Sequence, residues 1–171
     1  VIVLLNTPTG VFMDTLVKNQ SKIDACLWVG FTGYQGIKEV ADLIVGNSYP
    51  TGHLPDTFLY NTSSAPSSVN VEAKLYTNAD TAGLISKERQ GAYLTYTENI
   101  YVGYKYFETR YEDTVYDRYN ASSTEGVKNS TGAWKYNQEV AFPFGYGASY
   151  TTFKFSDYDV VKNADGDYDV T

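Results

Sequence analysis

The stretch GFTGYQGIKEVADLIVG, residues 30–46, decides the fold because it joins a glycine-rich turn to an amphipathic segment. Four apolar residues recur at the spacing that places side chains on one face of a helix: Ile37, Val40, Ala41 and Ile44. Gly46 follows at the position where a left-handed residue commonly ends a helix. The pattern therefore predicts a helix over residues 35–45 with one buried face.

Two apolar runs precede this helix and predict a pair of buried strands. Residues 1–5 (VIVLL) and 25–29 (ACLWV) are short and apolar throughout, and residues 12–19 between them suit a short helix. Parallel strands need a crossover of about a dozen residues or more, so this order predicts a βαβ unit. Cys26, the one cysteine, is expected to be a small buried hydrophobe. The predicted core comprises Val1, Val3, Leu5, Ala25, Leu27, Val29, Val40, Ala41 and Ile44.

The rest of the chain has a weaker pattern. A strand is expected before residue 60, with Pro55 favouring an edge position. Residues 99–107 (NIYVGYKYF) alternate loosely, which predicts extended structure, and residues 109–140 form a polar excursion without a period. Residues 151–171 alternate around a turn at NADGD (163–167), like the first strands of an all-β module.

Composition excludes several classes of partner. The 20 acidic and 13 basic residues give a net charge of −7, which argues against nucleic acid and against anionic membrane surfaces. The chain contains no apolar run long enough to span a bilayer. Its 17 tyrosines are the compositional outlier, and tyrosine suits interfaces and sugar-binding rims as well as a core.

Conventional catalytic or metal-binding patterns are weak. The three glycines of residues 30–36 follow a G-x-x-G-x-x-G spacing, which favours tight strand-to-helix packing over a nucleotide site. His53 is the one histidine and is expected to be structural, since no second histidine or cysteine cluster accompanies it. No spacing singles out a carboxylate pair. We therefore predict no metal site and no cofactor.

Three stretches together resemble glycoside hydrolase family 3. They are GFTGYQGIKEVADLIVGNSYPTGHLPDTF (30–58), YTENIYVGYKYFE (96–108) and FPFGYGASYTTF (142–153). The resemblance implies an α/β class: residues 1–141 as part of an α/β sandwich domain with a mainly parallel sheet, truncated at its N-terminus. Residues 142–171 would form a hinge and the first strands of an all-β sandwich, a truncated fibronectin type III-like module.

The hinge is expected to be structural. Gly145 or Gly147 should have a positive φ, because glycine escapes the steric cost of that conformation. Phe142, Phe144 and Tyr150 are expected to be largely buried in the seam.

The resemblance also implies a retaining glycoside hydrolase, of the β-glucosidase type, that removes terminal β-linked sugars with two carboxyl groups. In the family the nucleophilic Asp belongs to a TIM-barrel domain, and the acid/base Glu precedes the strand that begins here at Val1. No catalytic residue is therefore expected within residues 1–171. Implied partners are a β-linked glucoside or oligosaccharide and the TIM-barrel domain of the same full-length protein. Candidate substrate-rim residues at the strand ends are Asn6, Thr7, Trp28 and Gln35.

A second interpretation is a non-catalytic carbohydrate-binding or interaction module with a tyrosine-rich stacking surface. Sequence flanking this piece, with a TIM barrel and the acid/base carboxylate, would decide for the enzyme. Localisation stays open between cytoplasmic and secreted, and the sugar, the linkage and the oligomeric state are not predicted.

Overall fold

A computed structural model describes most of the chain. The described residues are 1–69, 71, 74–78, 92–94, 96, 98–121, 130–152 and 154–171. Part of the predicted polar excursion (122–129), and Phe153 of the hinge motif, lie outside them. The helices are α1 Asp14–Lys18, α2 Gly33–Val45, α3 Pro66–Val69, α4 Tyr104–Tyr116 and α5 Tyr136–Glu139. The strands are β1 Ile2–Leu5, β2 Ala25–Trp28, β3 Phe58–Leu59, β4 Lys74–Leu75, β5 Ala92–Tyr93, β6 Val140–Phe142, β7 Val160–Lys162 and β8 Tyr168–Val170.

The predicted βαβ unit is confirmed. β1 and β2 pair in parallel, with the register running from Ile2 opposite Ala25 to Leu5 opposite Trp28. α1 lies between them in the chain, and α2 follows. α2 ends at Gly46, whose φ of 81° is left-handed, and the next amide donates back to the Asp42 carbonyl at 2.8 Å. A glycine is needed at this end because other residues rarely adopt that conformation.

The predicted core of this unit is wrong. Among its residues only Val40 is buried, at 6% exposure. Half-buried positions are Val3, Leu5, Leu27 and Val29, while exposed ones are Val1, Ala25, Ala41 and Ile44. Cys26 is also exposed, contrary to expectation. The physical reason is that, among the described strands, β1 and β2 pair only with each other, so much of their apolar surface stays uncovered.

The principal buried cluster lies elsewhere. This core cluster consists of Leu59, Tyr106, Phe107, Ala121 and Val140, with Ala65, Tyr101, Trp134 and Tyr136 packed against it. Two of its rings belong to α4, a helix of 13 residues where the sequence predicted extended structure and then a polar excursion. That prediction fails because the buried positions of α4 include Arg110 and Asp113, whose polarity hides the helical period.

The remaining described strands pair in antiparallel fashion. β3 pairs with β6, β4 with β5, and β7 with β8. The β7–β8 hairpin turns where NADGD predicted, with the Asn163 amide donating to the Asp167 carbonyl at 2.8 Å. The described chain is thus mixed α/β with one parallel and three antiparallel pairs.

The hinge motif is held by its backbone more than by its rings. Gly145 has a φ of 77°, as predicted. Its amide donates to the Leu54 carbonyl, and the Leu54 amide donates to the Tyr146 carbonyl, both at 2.8 Å. The expected ring burial is wrong, since Phe142 is half-buried, Phe144 is 45% exposed and Tyr150 is 89% exposed.

Among the described residues the Phe144 ring has one aromatic partner, and the ring stays partly exposed. It stacks on Tyr104 at a centroid distance of 4.1 Å and an interplanar angle of 18°. Gly147 is constrained more tightly, because a Cβ there would lie 2.6 Å from the Gly52 carbonyl oxygen. The motif therefore follows residues 52–54 closely.

Candidate functional site

The carboxyl ends of β1 and β2 bring two of the predicted rim residues together. β1 ends at Leu5 and β2 at Trp28, which are opposite each other in the register. The Trp28 Nε1–H donates to the Thr7 carbonyl at 2.9 Å. The Trp28 and Phe58 rings meet in a T-shaped arrangement at a centroid distance of 5.8 Å. Thr7 and Trp28 are thus fixed as one unit at the edge where ligands of open parallel sheets bind.

The other two predicted rim residues are exposed and less constrained. Asn6 precedes Thr7 and is exposed. Gln35 lies in the first turn of α2, and its side chain has no hydrogen-bond partner among the described residues. The structure therefore assembles Thr7 and Trp28, and it leaves Asn6 and Gln35 available at the surface.

Two aromatic residues beside this edge escaped the sequence prediction. Phe31, in the turn between β2 and α2, is 78% exposed, and Tyr34, in the first turn of α2, is fully exposed. Gly30 and Gly33 have φ values of 57° and 61°, so the turn needs glycine at both points. The sequence signal that could have identified them is an aromatic residue between the glycines of a turn, at a position that does not belong to the apolar face of a helix or strand.

Asp56 joins two of the motifs on which the family resemblance rests. One of its carboxylate oxygens accepts from the Thr57 amide at 2.8 Å and from the Tyr104 amide at 3.0 Å. The second of these bonds supplies an acceptor for an unpaired donor at the start of α4. Gly103 has a φ of 59°, and a Cβ there would lie 3.0 Å from the same oxygen. Asp56 is therefore a helix-capping group in this structure.

Glu139 is a fully buried carboxylate held by serine donors. It accepts from the Ser64 hydroxyl at 2.8 Å, the Ser130 amide at 2.7 Å and the Ser130 hydroxyl at 2.6 Å. A buried charge needs this degree of compensation. Glu139 thus joins chain segments that are remote in sequence.

Asp113, on α4, is buried in the same way. It accepts from the amide and side chain of Asn120 at 3.0 and 2.9 Å, and from the Ala121 amide at 2.8 Å. The donors come from the segment after α4, so this carboxylate fixes the chain that leaves the helix. Its role is structural.

The comparison with known proteins assigns the chain to a family. The model of the glycosyl hydrolase family 3 C-terminal domain matches residues 1–104. The chain belongs to this family. It is 33% identical to β-glucosidase A of Butyrivibrio fibrisolvens over 92% of this chain, and 30% identical to a β-glucosidase of Ruminococcus albus over 91%.

A solved structure agrees with this assignment. The chain is similar to β-glucosidase 3B from Thermotoga neapolitana, solved in complex with glycerol, with a TM-score of 0.55 and 30% identity over 94% of this chain. The chain spans 14% and 12% of the two bacterial relatives and 16% of the solved protein. Most of each relative therefore lies outside the compared region.

Within this family 3 domain, Glu98 differs from the other buried carboxylates. Glu98 is 6% exposed, and its Oε2 has no hydrogen-bond partner among the described residues. It belongs to the YTENI motif, six residues before the start of α4. A buried acceptor without a donor is costly, so Glu98 is the carboxylate whose role most needs a test.

The remaining titratable candidates show no metal-binding arrangement. Among the described residues, no group of three or more His, Cys, Asp or Glu side chains is placed to hold a metal ion. His53 is exposed, and its ring lies against Gly147, where an added Cβ would meet it at 2.9 Å. No described helix is long and apolar enough to cross a membrane.

Proposed function

We propose that this chain is part of a retaining glycoside hydrolase that removes terminal β-linked sugars, specifically a β-glucosidase. The observation that supports it is the convergence of the three family motifs at one place. Asp56 bonds to the amide of Tyr104, and Leu54, two residues earlier, bonds to Gly145 and Tyr146. The β-glucosidase relatives support the substrate class.

In this proposal both catalytic carboxylates come from outside residues 1–171. Retaining glycosidases place two carboxyl groups about 5–5.5 Å apart, one as nucleophile and one as acid/base. Asp56, Asp113 and Glu139 are each occupied by backbone or side-chain donors, which favours structural roles. A TIM-barrel domain of the same full-length protein would supply the nucleophile.

The chain's own contribution would be one wall of the sugar site. Thr7 and Trp28 form a fixed edge at the strand ends, and Asn6 and Gln35 add exposed amides beside it. Side-chain amides donate and accept hydrogen bonds, as sugar hydroxyls do. The exposed Phe31 ring adds an apolar face of the kind on which a sugar ring packs.

We further propose that residues 1–141 belong to an α/β sandwich domain with a mainly parallel sheet. Residues 142–171 would form the hinge and the start of a fibronectin type III-like module. The antiparallel β7–β8 hairpin supports the second part, and its exposed valines leave a face for further strands of such a module.

A first experiment tests where catalysis resides. The full-length enzyme would be assayed with a chromogenic aryl β-glucoside, as wild type and as Glu98→Gln. We expect turnover by the wild type, and kcat within about threefold of it in the variant, because Gln keeps the shape of a structural carboxylate. A loss of 100-fold or more in kcat with unchanged melting would make Glu98 a catalytic residue. Absence of turnover by the full-length wild type on any β-glycoside would contradict the proposal that the protein is a glycoside hydrolase.

A second experiment tests the wall, with a control on the same helix. Gln35→Ala in the full-length enzyme should raise KM for the glucoside roughly three- to tenfold, since an exposed substrate hydrogen bond is lost. Glu39→Ala removes another exposed side chain one turn further along α2 and should leave KM unchanged. Equal KM values for the two variants and the wild type would remove Gln35 from the rim.

The alternative of a non-catalytic carbohydrate-binding module is favoured by one observation, the number of exposed rings. Tyr34, Tyr96 and Tyr119 are each at least 78% exposed. Under this alternative the full-length protein would bind β-linked sugars without turnover, and the aryl-glucoside assay separates the two cases.

A further inference from the structure

One side of α4 carries a half-buried to exposed stripe that lies outside the core cluster. Tyr104, Glu108 and Tyr111 follow each other at i, i+4 and i+7, which places them on one face of the helix. Tyr106, Phe107, Arg110 and Asp113 form the buried side. The stripe is therefore free to contact something other than the core cluster.

Two depressions adjoin along this stripe and share Glu108. The first, about 600 Å³, is lined by Glu108, Tyr111, Thr114, Trp134, Lys135, Tyr136 and Asn137. The second, about 590 Å³, is lined by Ile100, Tyr101, Tyr104, Lys105, Glu108, Thr109 and Phe144. Together they form the α4 groove, and each half falls within the size range of small-molecule sites.

Aromatic rings line both halves and are held by their neighbours. In the first half, Tyr111 lies 5.1 Å from Tyr136, and Trp134 lies 6.1 Å from Tyr136, between ring centroids. In the second, Tyr104 and Phe144 stack at 4.1 Å. Tyr111 is 50% exposed, so part of its ring is open to a ligand. These rings are prepositioned platforms, which lowers the entropic cost of binding.

Polar groups of both charges border the rings. The Tyr136 hydroxyl donates to Glu108 at 2.6 Å, and burial, followed by this bond, raises the pKa of Tyr136, which keeps it a protonated donor. Lys105, Lys135 and Asn137 are exposed at the rim. The groove thus offers the carboxylate of Glu108, the ammonium groups of the two lysines and the amide of Asn137. This mixture of donors and acceptors suits a ligand that carries little charge and many hydroxyls.

We infer that the α4 groove binds a β-linked oligosaccharide, away from the carboxyl ends of β1 and β2. Tyr104 and Tyr111 are seven residues apart on the helix, or roughly 10 Å, about the length of a disaccharide. Two aromatic residues at that spacing along the helix, with hydrogen-bonding groups between them, match alternate sugar rings of the oligosaccharide. The inference rests on the proposed function for its ligand class, and the chain's net charge of −7 disfavours a polyanion.

The test uses the full-length protein with its catalytic site closed. A 2-deoxy-2-fluoro-β-glucoside traps the glycosyl-enzyme of a retaining enzyme, and intact mass reports the labelled fraction. Titration calorimetry with a β-1,4-linked glucotetraose then measures binding outside the blocked site. A protein that is not labelled would contradict the proposed function, and the same titration on the unlabelled protein would still report on the groove.

We expect the blocked wild type to bind the tetrasaccharide and Tyr111→Ala to bind it at least about fivefold more weakly. Tyr111→Phe keeps the ring and should bind within about twofold of wild type. Tyr158→Ala is the matched control, because this residue is 76% exposed and lies outside the groove. Asn137→Trp, which fills the first half from an exposed position, should also abolish binding.

Two results would overturn the inference. One is no binding by the blocked, folded wild type, which would mean that another part of the protein covers the groove. The other is equal affinity in wild type and the Ala variant of Tyr111, with melting temperatures that show both to be folded. If the Tyr111→Ala variant does not fold, the Asn137→Trp variant decides the test. An affinity of Asn137→Trp equal to that of the wild type would also contradict the inference.

Discussion

In the βαβ unit of residues 1–46 the apolar side chains are numerous but mainly exposed or half-buried, whereas on one side of α4 two rings and two charged groups are almost completely buried. Ile37 on α2 is 61% exposed, although it lies on the apolar stripe of an amphipathic helix. Phe107 on α4 is 2% exposed, and buried Arg110 and Asp113 accompany it. Apolar pattern and burial are thus separate properties in this chain. The first follows from sequence, and the second depends on what packs against each face.

The largest expected effect tests this contrast directly. Phe107→Ala in the 171-residue chain should lower the free energy of unfolding by about 3–5 kcal/mol, since it leaves a cavity in the core cluster. Ile37→Ala should change it by less than about 0.5 kcal/mol, the usual range for a surface position. Urea denaturation followed by circular dichroism measures both. Losses of equal size would break the contrast between the two regions.

Substitutions of a buried and of an exposed carboxylate should differ in their effect on the free energy of unfolding, by a smaller amount than the two apolar substitutions. Glu139→Gln replaces an acceptor oxygen with an amide donor among serine donors, and should cost about 1–3 kcal/mol. Glu39→Gln, on exposed α2, is the control and should stay within about 0.5 kcal/mol of wild type. The same denaturation experiment applies. A Glu139→Gln variant as stable as the wild type would show that the hydrogen bonds from the serines make no net contribution to stability.

The smallest effect is expected at the surface of α2. The hydrogen bond from Lys38, at 2.5 Å, and then that from Asn47, lower the pKa of Asp42 below its ordinary 3.8. A lowered folded-state pKa stabilises the fold above the ordinary value, and this stabilisation is lost as pH falls through the lowered pKa. Asp42→Asn should therefore slightly lower the urea midpoint at pH 7. Its difference from wild type should shrink as the pH falls below 3.8, and should also shrink in about 1 M salt. A difference that grows on acidification would contradict this assignment.

The sequence predicted elements where local pattern determines them. α2 and its end at Gly46 follow from an apolar stripe and one glycine, and the parallel pair follows from two short apolar runs. α4 was missed because its buried positions Arg110 and Asp113 interrupt the stripe. The burial of Asp113 depends on donors outside the helix, such as Asn120 and Ala121, which no helical period contains.

The candidate rim was predictable in part for the same reason. Parallel strands end at one edge, so Thr7 and Trp28 were expected to be neighbours, and the Trp28–Thr7 bond joins them. The Asp56–Tyr104 bond connects residues 48 positions apart and has no local signal. Contacts of this kind depend on the tertiary arrangement, and single-sequence patterns do not encode them.

The hydrogen bonds that Ser64 and Ser130 donate to Glu139 also bear on how much the chain between these residues can vary in length. Ser64 and Glu139 are 75 residues apart, whereas Val1 and Asp24, which pair across the βαβ unit, are 23 apart. Closing the longer loop costs only about 1 kcal/mol more in chain entropy, because the cost grows with the logarithm of length. Doubling that loop would add only about 0.6 kcal/mol. Insertions between Ser64 and the start of α4 at Tyr104 are therefore thermodynamically inexpensive while both serines and Glu139 keep their contacts, so this is where the domain can gain or lose segments over evolution.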